Sequence, residues 1–126
     1  MPSPEPSSPC VLLVEEDVAL RQSLSICFEN EMINVDVAED GAEALRLLEL
    51  RSYKVLVLDL ALPKISGSEL MRHLETNPDL HSGQLVVLTE DREAAARVEG
   101  SERVAHVFIK PLNLDEVARA VCDLCS

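Results

Sequence analysis

The chain has 126 residues, 47 % of them hydrophobic, and 11 Lys and Arg against 23 Asp and Glu, for a formal net charge of −12. That length fits one domain with its own core, and the acidic balance argues against nucleic acid or an anionic membrane surface, both of which are gripped by Lys and Arg. No apolar stretch reaches membrane length and no secretory leader is visible, so a cytoplasmic location is expected. With no Trp, one Tyr and two Phe, the core must be aliphatic.

Residues 1–9 carry four prolines and three serines and are expected to form a flexible tail. From Cys10 onward the pattern alternates between short apolar runs and helical periodicity. Cys10–Val14 reads as a first strand and Val18–Asn30 as a helix, with Leu20, Leu24 and Cys27 or Phe28 on one face. Ile33–Ala38 reads as a more polar, edge-like strand. Asp40 with Glu43 has the form of a capping box opening a helix to about Leu50. Val55–Leu58 is a continuous apolar run, as in a strand buried on both faces, and the strand is expected over Lys54–Asp59. A loop over Leu60–Gly67 leads to a helix from Ser68 to Glu75, stopped by Asn77-Pro78. Then come a strand at Gln84–Thr89, a thin helix at Arg92–Glu99, a strand at Val104–Ile109 and a helix capped by Asn113.

Five βα units in this length give a doubly wound α/β sandwich with a parallel sheet. Strand order 2-1-3-4-5 is expected, a flavodoxin-like arrangement with its switch point between strands 1 and 3. The strand ends share one rim and are polar: Glu15 and Glu16 after strand 1, Asp59 at the end of strand 3, Thr89 at the end of strand 4, Lys110 after strand 5. Oxygen-rich carboxylates suit Mg²⁺, while an ammonium and a hydroxyl suit a phosphoryl group placed on a carboxylate. Each residue has an ordinary role when taken alone, as a cap or a solvated charge. Asp59 is the exception, because a carboxylate ending a buried strand costs free energy unless it is paired. Cys122 and Cys125 have C-x-x-C spacing, but a zinc site needs two more ligands and none stands at recognisable spacing. They read as half-buried helix residues.

On these residues the chain resembles the receiver domains of two-component response regulators over Cys10 to Leu124. The acidic pair is Glu15-Glu16; the segment Asp59-Leu-Ala-Leu62-Pro63-Lys-Ile-Ser-Gly67 matches the family's phosphoacceptor motif; Thr89 and Lys110-Pro111 complete the set. The resemblance implies Asp59 as phosphoacceptor, Thr89 and Lys110 as its partners, and Mg²⁺ held by Glu15, Glu16, Asp59 and the backbone carbonyl of Ala61. It also implies a typically cis Lys110-Pro111 peptide. A histidine kinase or phosphotransfer protein would be the donor. A downstream protein, an output domain or a second copy would dock on the face of helix 4, strand 5 and helix 5. Three positions depart from the family: Glu16 where Asp is usual, Glu90 where a small residue is usual, and Val107 where a switch aromatic is usual. They support the alternative of a degenerate receiver, an interaction module independent of phosphorylation.

Overall fold

In the computed structural model, residues 10–62, 65–81 and 83–126 are described. The expected tail over residues 1–9, and Pro63 of the motif, lie outside them. Five strands, β1 (Val11–Val14), β2 (Val35–Ala38), β3 (Val55–Asp59), β4 (Gln84–Thr89) and β5 (Val104–Ile109), alternate with five helices. The helices are α1 (Val18–Asn30), α2 (Gly41–Leu50), α3 (Gly67–Thr76), α4 (Arg92–Val98) and α5 (Leu114–Cys125). The sheet order is β2-β1-β3-β4-β5 and the pairings are parallel, as the alternation of periods requires.

The central strands are buried on both faces, so their side chains feed two apolar layers. Leu12, Leu56, Leu58 and Val87 join α2 and α3 through Ala44, Leu48, Leu70 and Leu74. Val11, Leu13, Val57 and Leu88 join α1 and α5 through Leu24, Phe28, Val117 and Val121. Each helix begins on a side-chain cap. Asp17, Asp40, Ser66, Asp91 and Asn113 each accept a backbone N–H of the first turn, filling donors that a helix start leaves unpaired.

Several boundaries differ from the sequence expectation: Cys10 and Lys54 lie one residue before β1 and β3, α3 runs on to Thr76 rather than ending at Glu75, and the differences that follow are the larger ones. Helix α3 starts at Gly67, which was expected in the loop, because Ser66 supplies the cap one residue earlier. A 3₁₀ turn at Pro78–Leu80 follows it. Ile33 and Asn34 precede β2 rather than belong to it. Met32 takes φ 60°, Met32 N–H donates to Glu29 C=O and Ile33 N–H to Phe28 C=O, both at 2.9 Å. That is a Schellman closure of α1, and Ile33 is buried by it against Phe28's apolar layer.

Candidate functional site

The parallel register puts the C-terminal ends of β1, β3 and β4 side by side, with Val14 opposite Leu58 and Asp59 opposite Leu88. Three polar side chains there are almost wholly buried: Glu15 is 0 % exposed, Asp59 3 % and Thr89 3 %. Lys110 follows β5, and its backbone N–H donates to Thr89 C=O at 2.8 Å. The Lys110-Pro111 peptide is cis.

Lys110 is the hub. Its Nζ donates to Asp59 Oδ2 at 3.0 Å and to Glu15 Oε1 at 3.3 Å. Glu15 Oε2 lies 3.2 Å from the same ammonium, yet it is a buried atom without a hydrogen bond among the described residues. Asp59 Oδ1 accepts the Ala61 backbone N–H at 3.0 Å. Thr89 Oγ1 accepts the Asp91 N–H at 3.0 Å, which leaves its own hydrogen to donate. Two buried carboxylates thus share one cation. Burial first, and repulsion from Asp59 second, push the Glu15 carboxyl up to about 7 against the pull of Lys110. Burial opposes the Lys110 ammonium, but hydrogen bonds and charge from Asp59, with Glu15 adding to them, outweigh it and raise its pKa.

Glu16 stands differently. It is exposed, and among the described residues no three His, Cys, Asp or Glu side chains gather into a metal cluster. Glu15 and Asp59 are therefore the buried carboxylates of the rim. A small hard cation is commonly held by one or two carboxylates with carbonyl and water oxygens completing its shell. The unbonded Glu15 Oε2 and the surplus of negative charge fit such an ion.

Arg21 belongs to the site and was not singled out from the sequence. Its Nη1 donates to the backbone carbonyls of Glu15 at 2.8 Å and Glu16 at 3.3 Å, so it pins the turn that carries the acidic pair. Its position on α1, six residues after Glu15, was the available signal. Beside Thr89 and Ala61 lies a cavity of about 260 Å³ that Asp91, Ala94 and Arg97 also line. Among the departures, Glu90 is exposed and Val107 is half-buried against the α2–α3 layer. His106 stacks on Phe108 with ring centroids 5.8 Å apart.

A family model described as the response regulator receiver domain matches residues 11–122. The chain belongs to that family. It is 34 % identical over 109 residues to the response regulator MprA of Mycobacterium sp. (strain KMS), across 85 % of this chain and 46 % of that protein. MprA of Mycobacterium tuberculosis (strain ATCC 25177 / H37Ra) matches to the same extent. The chain therefore spans about half the length of these relatives. Among solved structures, the receiver domain of the Francisella response regulator 1452 superposes with a TM-score of 0.83 at 28 % identity, over 94 % of this chain and 97 % of that one. The response regulator TrrA from Thermotoga maritima, solved in complex with Mg²⁺ and BeF, gives 0.77 at 25 % identity, over 90 % of this chain and 96 % of that one. The receiver fold read from the strand pattern is thus the fold of this chain, and it is a signalling domain of the two-component type. Receivers of this family interact with histidine kinases or phosphotransfer proteins and with output domains.

Proposed function

We propose that this chain is a phosphoacceptor: Asp59 takes a phosphoryl group from the phosphohistidine of a histidine kinase or phosphotransfer protein. One observation carries the reading. Asp59 is a buried carboxylate at the rim, held through Oδ1 by the Ala61 N–H and through Oδ2 by Lys110. In the transfer an Asp59 oxygen attacks phosphorus, the N–P bond breaks and the imidazole leaves. The aspartyl phosphate carries about two negative charges where the Asp59 carboxylate carried one. Lys110 already faces that oxygen, and the Thr89 hydroxyl has a hydrogen to give. Phosphoryl transfer asks mainly for such positioning and charge. Mg²⁺, held by Glu15, Glu16, Asp59 and the Ala61 carbonyl, would supply the remaining counter-charge. The reading makes this a signalling domain rather than an enzyme, located in the cytoplasm and without a nucleic-acid partner of its own. Its contacts with an output domain, a target or a second copy would form on the α4–β5–α5 face.

The exposure of Glu16 favours a second reading, a receiver fold used as a phosphorylation-independent interaction or dimerisation module. One experiment separates the two. A small phosphodonor with Mg²⁺ should add a single phosphoryl mass to the parent and none to Asp59→Ala. A parent that stays unlabelled, or an Asp59→Ala variant that labels equally, refutes the proposal. Glu16→Asp should tighten Mg²⁺ by on the order of a few-fold, since a shorter carboxylate meets an octahedral ion with less folding back.

A further inference from the structure

The foot of the sheet, at the opposite end from Asp59, carries chemistry that phosphoryl transfer does not use. A cavity of about 570 Å³ opens there, lined in part by Cys10, Met32, Tyr53, Lys54, Cys122 and Cys125. All four cysteines of the chain are free thiols. Two of them face each other: Cys10 Sγ donates to Cys125 Sγ across 2.7 Å, although 115 residues separate them in sequence. We propose that Cys10 and Cys125 form a reversible thiol–disulfide site, oxidised by exchange with a low-molecular-weight disulfide.

The geometry is built from both sides. Cys10 is fixed by its backbone, whose N–H donates to Asn34 C=O at 2.9 Å and whose C=O accepts Lys54 N–H at 2.8 Å. Cys125 sits in the last turn of α5, and its carbonyl accepts Lys54 Nζ at 3.3 Å. Lys54 thus bonds to both cysteine backbones. A disulfide bond is about 2.05 Å long, so closure asks the sulfurs to move together by less than 1 Å. Both cysteines are half-exposed and line the cavity, which gives a small disulfide access.

The step balances by exchange. The Cys10 thiol loses its proton to solvent, and its sulfur attacks one sulfur of the small disulfide, whose S–S bond breaks to release one small thiolate. Cys125, losing its proton in turn, attacks the Cys10 sulfur of the mixed disulfide and expels the second small thiolate. Two protein thiols are oxidised, one small disulfide is reduced to two thiols, and excess small thiol runs the sequence backwards. Burial first, and the facing Cys10 sulfur next, push the Cys125 thiol up to about 12, so exchange begins at Cys10. The product ties the start of β1 to the end of α5. Cys122 lies one turn back on α5 and is the rival partner.

The test uses the full chain in native buffer with oxidised glutathione, followed by alkylation and mass mapping. Two thiols, Cys27 and Cys122, should alkylate. A cross-link should join the peptide ending at Arg21 to the peptide after Arg119. That last peptide contains both Cys122 and Cys125, so variants assign the bond: the cross-link should persist in Cys122→Ser and vanish in Cys125→Ser and Cys10→Ser. The oxidised chain should melt on the order of 10 °C higher, as expected for a closed loop of this length, and small thiol should reverse it. A Cys122–Cys125 link, glutathione adducts alone, four alkylated thiols, or a cross-linked chain that melts no higher would each overturn the proposal.

Discussion

Gly67 is packed tightly against the backbone of Asp59 and Leu60, and replacing it with alanine should damage both stability and the rim. A Cβ there would overlap Leu60 Cα, and would stand 2.5 Å from Asp59 O and 2.9 Å from Leu60 C. The partners are backbone, so no side-chain rotation relieves the clash. Reaching ordinary contact of 3.4 Å from Asp59 O needs a movement of about 0.9 Å. Either α3 lifts off the end of β3 or the loop retreats. In both cases the Gly67 N–H to Leu60 C=O bond of 3.0 Å is strained. Overpacking costs about 1–3 kcal/mol and the weakened hydrogen bond about 1 kcal/mol, while alanine's better helix propensity returns less than about 1 kcal/mol. A net loss of roughly 2–3 kcal/mol follows, a large share of a typical domain's stability. Urea unfolding of Gly67→Ala beside Gly100→Ala measures it. Among the described residues Gly100 has nothing within 4 Å of its Cβ position, so its variant should be neutral or slightly more stable. Phosphodonor labelling of Gly67→Ala should slow as well, because Asp59 Oδ1 rests on the Ala61 N–H of the same loop. A Gly67→Ala chain within about 0.5 kcal/mol of the parent would refute the clash and the idea that this glycine sets the loop.

Lys110→Met leaves two buried carboxylates without their cation, and should cost about 3 kcal/mol near pH 8. Glu15, pushed up to about 7, takes a proton below that pH, so the loss should shrink by about pH 5.5, and urea midpoints at both pH values check it. His81 is buried, its Nε2–H donates to Gln84 C=O at 3.1 Å and its Nδ1 has no hydrogen-bond partner among the described residues; burial lowers its pKa below the ordinary 6.5. The unfolded chain then binds the extra proton, so this contribution is complete above pH 6.5 and is lost as pH falls through the lower folded value. In His81→Asn the drop in melting temperature from neutral to mildly acidic buffer should be smaller than in the parent. Met32, 93 % exposed at φ 60°, gains nothing from its side chain, and Met32→Gly should stabilise by up to about 1 kcal/mol, read as a rise in urea midpoint.

The strands were legible because burial on both faces writes itself as unbroken apolar runs, and Val55–Leu58 could be little else. The gathering of Glu15, Asp59, Thr89 and Lys110 on one rim followed from topology once the strand order was fixed. Local backbone chemistry was harder to read. Ile33 looked like the start of a strand because it is apolar, but its burial closes α1, and the closure depends on a non-glycine residue in the left-handed region that composition does not announce. Contacts between residues distant in sequence were legible at the rim, where the strand ends converge, and not elsewhere. Cys122 and Cys125 draw attention by spacing, whereas the structure pairs Cys125 with Cys10. Only its position on α1, six residues after Glu15, pointed to Arg21 as the clamp on the acidic turn, and a helix arginine is most often solvated.

The same burial pattern bears on where a phosphoryl group at Asp59 would be felt. Added charge shifts the energy only of the groups that interact with it differently in two arrangements. At this rim those groups are Lys110 and Thr89. The central strands β1 and β3 are buried throughout and tied to both apolar layers, so they have no second packing to adopt. Strand β5 is half-buried along most of its length, and α4 is short with only Ala95 fully buried. Thr89 Oγ1 holds the N–H of Asp91, the residue that caps α4, so a hydroxyl recruited by a phosphoryl group moves that cap directly. Val107 offers no ring to swing behind Thr89, and its β-branched side chain is stiff about χ1 and packed on the layer that holds Val87, Ala94 and Val98. The physical path from Asp59 to the surface would therefore run through the Thr89–Asp91 turn into α4, and through Lys110 into the start of α5, rather than through a rotamer change on β5.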